Sequence, residues 1–258
     1  DFEVAKDLLR KRGQAIAAKR SDREASEGCV LAKVKDNFGA IVAVKCETDF
    51  VAKNADFVGM VKLILDAALD NKVQDFEALK NLKIGNFTVA EIITERSGVT
   101  GEKMELAYYT CLEAPVVDAY NHLGNKLSSL VAANEGADQE TVHGISMQVA
   151  AMRPLYLDRN QVPAEVLEKE KTILREQAEN EGLDASKLDM IVNGRVNKYY
   201  EEVCLVDQGF IKENKMKVNK YVESKNSSIL SFVRYEVGEG MEKREENFAD
   251  EVMKQING

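Results

Sequence analysis

The chain has 258 residues, enough for one large domain or two smaller ones with a sizeable buried core. Apolar residues make up 45% and charged residues 31%, the balance of a soluble globular protein. A formal net charge of −9 argues against a general nucleic-acid binder, since counterion release needs a concentrated lysine and arginine surface.

No run approaches the ~20 apolar residues of a bilayer span, and the start carries no export signal. The first residue is Asp and falls inside a helical pattern, so the expectation is that a preceding piece has been removed. Cys29, Cys46, Cys111 and Cys204 are scattered without a Cys-x-x-Cys pair, which predicts reduced thiols and a cytoplasmic setting.

In chain order, "DFEVAKDLLRKRG" predicts a helix with Gly13 as its stop, followed by a charged connector over 14–27. "CVLAKVK" and "AIVAVKC" read as two strands joined through "DNFG", which is hairpin chemistry. In "CETDFVAKNADFV" the triplet Asp-Phe-Val occurs twice, seven residues apart. On a single helix that spacing would bring Phe50 and Phe57 to nearly the same face. "VGMVKLILDAALDN" predicts an apolar helix. "DFEALKNL" and "TVAEIITERSG" predict shorter ones, the second capped by Thr88 and stopped by Gly98.

Three strand-rich runs follow, "MELAYYTCLE", "VVDAYNHL" and "KLSSLVAA". A helix beginning near Asp138 or Glu140 carries no charge from Thr141 to Met152, so it is buried nearly all round or covered by a partner. "PAEVLEKEKTILREQAENEG" and "ASKLDMIVNGRVNKYY" predict an antiparallel helical hairpin turning near Gly182. A strand, "SILSFVRYEVG", and a last helix around "ENFADEVMKQI" complete the pattern. "IVAVKCETDFVAKNADFVGMV" and "SSLVAANEGADQETVHGISMQVAAM" weakly echo each other as strand, acidic loop and apolar helix. Short antiparallel strand groups with helices bunched between them give an α+β fold class.

Enzymatic chemistry is missing from the text of the sequence. There is no phosphate-binding G-x-x-x-x-G-K-[ST] loop and no G-x-S-x-G elbow. His122 and His143 have no metal-like partner at helical spacing. The reading is therefore a protein without a bound metal or cofactor and without a catalytic nucleophile.

Thr48 is a good N-cap, and Asp49 suits the positive end of the helix dipole. Phe50 then stands in the first turn, at the end of an element, where a side chain is easily left protruding. Phe57 has Val58, Val61, Leu63 and Ile64 beside it to hold its helix down. Taken alone, these residues also fit an ordinary cap with both aromatics in the core.

"GAIVAVKCETDFVAKNADF" closely resembles the segment around the Thr-Asp-Phe-Val-Ala motif of the bacterial elongation factor Ts family. The resemblance continues through "SMQVAAMRP", "VNGRVNKYYEEVCLVDQGFIKE" and "SFVRYEVGEGMEK" to the final "FADEV", and so covers essentially the whole chain. It implies a guanine-nucleotide exchange factor for elongation factor Tu, acting in translation elongation. In the family the Asp-Phe pair intrudes between helices of the GTPase, disturbs its Mg²⁺ site and loosens bound GDP. Carried over, the wedge is Asp49 and Phe50, with Thr48 and Val51 completing the motif and Phe57 in the core. "TGEK" (Thr100 to Lys103) falls where the family has a Gly-Glu contact turn before a strand, which makes Thr100 and Gly101 possible partner contacts. His122 matches a Tyr-x-His segment facing the partner, although "HLG" is one residue longer before its glycine than the family pattern. A strand-end histidine without a partner role is the other reading of His122.

The organisation implied is a remnant last helix of a ubiquitin-associated-like N-terminal module over 1–13 and a linker over 14–27. Two related core subdomains of short antiparallel sheets follow, one over 28–115 and one over 116–162 with 203–244. The helical hairpin spans 163–202 and a C-terminal helix module 245–258. The hairpin also raises a homodimer, and a non-catalytic scaffold using it is the alternative function.

Overall fold

The computed structural model describes residues 2–20 and 23–239. Helix α1 (Phe2–Lys19) precedes the hairpin of β1 (Glu27–Lys35) and β2 (Phe38–Cys46). The hairpin turns through Asp36 and Asn37, with Asp36 at φ 56°, a left-handed conformation that short polar residues tolerate. Then come α2 (Asp49–Ala52), α3 (Ala55–Asp70), α4 (Phe76–Asn81), β3 (Lys83–Ile84), β4 (Phe87–Thr88) and α5 (Val89–Thr100). They are followed by β5 (Glu105–Glu113), β6 (Val116–Asn121), β7 (Leu127–Ala133) and α6 (Gln139–Met152). Helices α7 (Ala164–Asn180) and α8 (Leu188–Val203) precede β8 (Gly209–Phe210), β9 (Glu213–Lys217), α9 (Val218–Ser224) and β10 (Ile229–Glu236). The final helix expected over 245–258 lies outside the described residues.

Two antiparallel three-stranded sheets organise these elements, in the orders β1-β2-β5 and β10-β7-β6. The fold is α+β. The two segments that echo each other in sequence occupy equivalent places. β2 and β7 are the central strands of their sheets, and each leads through a short loop towards an apolar helix, α3 or α6.

Strand β2 is buried on both faces along nearly its whole length, which places the first sheet between two layers. On one face, Leu31, Phe38, Val42 and Val44 join the α3 residues Phe57, Val61 and Ile64 and the α5 residue Ile93. The buried residues of α3, from Phe57 and Met60 through Val61, Ile64, Leu65 and Ala68 to Leu69, follow the three-and-four spacing of an amphipathic helix. On the other face, Val30, Ala32, Ile41 and Ala43 pack with Leu130, Val233 and Tyr235 of the second sheet. Tyr108 stacks on Tyr235 across this seam at 4.4 Å. The second sheet's far face packs Val131 and Ala133 against Val142, Ile145 and Val149 of α6.

The outer edge of β1 is closed by residues of the second sheet. The Asn121 side chain accepts from the Ala32 N–H (2.7 Å) and donates to the Ala32 carbonyl (2.8 Å), as a neighbouring strand would. The Val30 N–H donates to the Asn125 carbonyl at 2.7 Å, and the Ser128 hydroxyl to the Val30 carbonyl at 3.2 Å.

Two predicted helix stops are displaced. Helix α1 runs through Gly13 to Lys19, because Gly13 is a packing residue. It is buried where α1 crosses α5, and a Cβ there would collide with the Thr94 carbonyl oxygen. The connector accordingly begins at Arg20 and not at residue 14. Helix α5 continues past Gly98, which is buried within it, and ends at Gly101 in the left-handed conformation. Its start is as expected, with a full capping box between Thr88 and Glu91.

Helix α6 opens with the Asp138 carboxylate accepting from the Thr141 N–H and buries most of its circumference. Its Gln148 bonds Gln208, the Gly209 carbonyl and the Ile211 N–H, joining α6 to the chain after α8. Arg159 grips Asp207 through two hydrogen bonds of 2.8 and 3.0 Å at the same base. Helices α7 and α8 pack on one another, with Ala178, Leu188, Val192 and Val196 buried. Gly182, at φ 72°, lies in the connection between them.

Candidate interaction site at the α2 tip

The two Asp-Phe-Val triplets do not share a helix. Lys53 ends α2, and Asn54 starts α3 by accepting the Asp56 and Phe57 N–H groups at 2.8 and 3.4 Å. The chain therefore changes direction between the two aromatics, and the seven-residue spacing does not align them. Phe57 is 1% exposed in the core, whereas Phe50 is 84% exposed. The asparagine cap is the sequence signal for this break, since Asn before an apolar-periodic run marks a helix start.

Thr48 caps α2, its hydroxyl oxygen accepting the Val51 N–H at 3.4 Å. Asp49 pairs with Lys53 at 2.6 Å, one turn on. The hydrogen-bonded Lys53 ammonium holds the Asp49 carboxyl below the usual carboxylate range, with a smaller contribution from Lys126. Val51 is half-buried against the first sheet's core, and Ala52 is buried. The Cys46 thiol donates to the Thr48 carbonyl at 3.3 Å. Of the four motif residues, only Phe50 turns a large apolar surface wholly outward.

The tip is held from behind by the turn between α5 and β5. Glu102 accepts both the Thr48 hydroxyl (2.6 Å) and the Thr48 N–H (3.1 Å). Glu47 accepts the Lys103 N–H at 2.6 Å and both forks of an Arg20 bond at 2.8 Å, with Arg23 at 3.3 Å. Burial raises the Glu47 pKa, but the Arg20 guanidinium and the Lys103 N–H outweigh it and leave the carboxyl below its ordinary value. Thr100 and Gly101 lie in this same turn, so the structure brings the Thr100–Lys103 segment and the Thr48–Val51 motif together. Glu102 was marked only by the family resemblance of its turn and Glu47 by no signal of its own, because the Thr48–Glu102 and Glu47–Lys103 bonds span 54 and 56 residues and the Glu47–Arg20 pair spans 27.

His122 sits at the end of β6, its Nδ1 within 3.0 Å of the Tyr120 hydroxyl. The following Leu123 is 91% exposed. Gly124 and Asn125 take positive φ, which forms the turn back to β7. Lys126 of that turn pairs with Glu27 at 2.6 Å and contributes to the Asp49 shift, placing the turn at the same end of the molecule as α2. His143, the other histidine, faces Asp118 at 3.1 Å from α6. Among the described residues, no cluster of His, Cys, Asp and Glu forms a metal site. No helix among them is long and apolar enough to cross a membrane.

The α2 tip thus carries an exposed aromatic on a capped turn, flanked by a carboxylate and backed by two carboxylate clamps. The segment carrying it falls within a match to the family model described as "Elongation factor TS", over residues 47–239. The chain belongs to the elongation factor Ts family. Curated members named elongation factor Ts agree over most of their length. That of Azobacteroides pseudotrichonymphae genomovar. CFP2 is 47% identical over 237 residues, which is 91% of this chain and 86% of the relative. That of Porphyromonas gingivalis is 45% identical, covering 91% and 87%. That of Limosilactobacillus fermentum is 43% identical over 260 residues, covering 100% and 89%. Elongation factor Ts proteins serve protein biosynthesis at the elongation stage, and this member shares that role.

Proposed function

We propose that this elongation factor Ts family member is a guanine-nucleotide exchange factor that binds the GDP form of elongation factor Tu and promotes GDP release. The observation that carries the reading is Phe50: large, apolar, 84% exposed and fixed at the tip of a capped turn in the family-matching region. Phe50 and Asp49 enter between helices of the GTPase, with Thr48 and Val51 fixing the turn that presents them. Displacement of the partner's Mg²⁺ follows. That ion bridges nucleotide and protein, so its loss removes much of the charge neutralisation that holds GDP.

By linkage, such a factor binds nucleotide-free partner more tightly than GDP-bound partner, each tenfold preference being worth ~1.4 kcal/mol of coupling. Thr100 and Gly101 support the wedge from behind, and His122 lies on the turn at the same end as a second contact. The protein acts by binding and distortion, without covalent chemistry of its own, in the cytoplasm.

The test is release of a fluorescent GDP analogue from elongation factor Tu at fixed Mg²⁺, with the wild-type chain and with Phe50→Ala. Acceleration by the wild type and strong loss in the variant support the reading. Equal acceleration by both removes Phe50 from the mechanism, and no acceleration by the wild type refutes the function.

A further inference from the structure

Helix α2 has four residues and cannot be stable by itself, because a single turn fixes several dihedrals for one or two hydrogen bonds. Its own cap is long, 3.4 Å from the Thr48 hydroxyl oxygen to the Val51 N–H. What holds the turn in place lies elsewhere in the chain. Glu102 takes the Thr48 hydroxyl proton at 2.6 Å, the length of a charge-assisted bond, and the Thr48 N–H at 3.1 Å. By occupying the hydroxyl's one donor, it leaves the oxygen lone pairs to face Val51.

The reverse bond runs one residue away. Glu47, the neighbour of Thr48, accepts from Lys103, the neighbour of Glu102. Two adjacent residues of the β2–α2 loop and two adjacent residues of the α5–β5 turn thus each lend one carboxylate to the other. The second segment is itself firmly placed. Gly101, at φ 78°, closes a helix whose Val89, Ile93 and Ser97 are buried and whose start is locked by a capping box. Asp49 and Phe50 sit just beyond this clasp. Asp49 bonds Lys53 of its own turn, and Phe50 projects outward.

We propose that Glu102 is a positioning residue for the α2 tip: it fixes Thr48, and through Thr48 the direction in which Phe50 is presented to the partner, an inference that rests on the exchange reading above. Glu102 need not touch the partner or its nucleotide. Its contribution is preorganisation, so that the aromatic is already aimed when the two proteins meet.

Two measurements test this together. The chain contains no tryptophan, so Phe50→Trp installs a single indole at the tip, which can be excited apart from the tyrosines. In that background Glu102→Ala increases the fast anisotropy decay of the indole, while Glu102→Gln, which keeps one acceptor oxygen, gives a smaller increase. With Phe50 in place, Glu102→Ala lowers the GDP-release rate at saturating exchange factor by about tenfold, equivalent to ~1.4 kcal/mol, and leaves the melting temperature within a few degrees. The same substitution has little further effect once Phe50→Ala is present, because both act through one side chain.

Unchanged anisotropy in Glu102→Ala overturns the proposal. So does a rate loss that persists in full in the Phe50→Ala background, since Glu102 would then act elsewhere. If the anisotropy responds but the wild-type chain never accelerates GDP release, the positioning stands and the exchange reading falls.

Discussion

Phe50 and Phe57 sit in identical triplets, and truncating them is expected to have opposite costs. An aromatic side chain of ~150 Å² buried at ~25 cal/mol/Å² is worth close to 4 kcal/mol. Phe57 is 1% exposed among Val61, Ile64 and the first sheet, so Phe57→Ala loses about that much, within the ~3–5 kcal/mol typical of such truncations. Phe50, 84% exposed, has about a sixth of its surface covered, which limits its loss to ~0.6 kcal/mol. For a chain of this size those costs correspond to roughly 8–16 °C for Phe57→Ala and ~2 °C or less for Phe50→Ala. Urea unfolding followed by circular dichroism, with thermal melts alongside, measures both. A loss above ~2 kcal/mol for Phe50→Ala, or an unmoved transition for Phe57→Ala, would refute the assignment of one aromatic to the surface and the other to the core.

Replacing Gly13 by Ala normally strengthens a helix by up to ~1 kcal/mol, but here the new methyl meets the Thr94 carbonyl. The expected result of Gly13→Ala is faster hydrogen exchange along α1 with the sheets unaffected. Cys29 and Cys46 are buried, with their thiols pushed up to about 12, and burial pushes Cys204 to about 11. At pH 8 a group at 12 is ~10⁻⁴ thiolate, so a thiol reagent labels half-buried Cys111 first in the native chain and all four cysteines after denaturation. Glu47 is held below the ordinary glutamate value of 4.5, so the stability it supplies is complete above that value and disappears as the pH falls through the lowered one. Glu47→Gln should flatten the acid limb of a stability-versus-pH curve below about pH 4.5, and an unchanged limb would show that the Arg20 clasp contributes nothing.

Much of this architecture could be read from local pattern. The β1–β2 hairpin announced itself through Asp36-Asn37 between alternating runs, and α3 through its apolar stripe. The α5 start was legible in Thr88. Glycine was the recurrent source of error. Gly13, Gly98 and Gly101 look alike in sequence, yet the first allows α1 to approach α5, the second is buried inside a helix and only the third ends one. Telling them apart requires knowing what lies opposite. The tip divides in the same way. The Thr48 cap is local and was legible, whereas the Thr48–Glu102 and Glu47–Lys103 bonds join segments more than 50 residues apart and leave no periodic trace.

The Asn121 bracket on β1 has a consequence for how the chain is made. The β1–β2 hairpin can pair as soon as its own residues are available. The groups on the open edge at Ala32 are satisfied by a side chain 89 positions later. At about 5–20 residues per second of synthesis, that edge stands uncovered for on the order of 5–20 s. During that interval it is a template onto which another extended chain could add. The arrival of the β6–β7 turn ends the exposure, so the step that joins the two sheets is also the step that closes this edge.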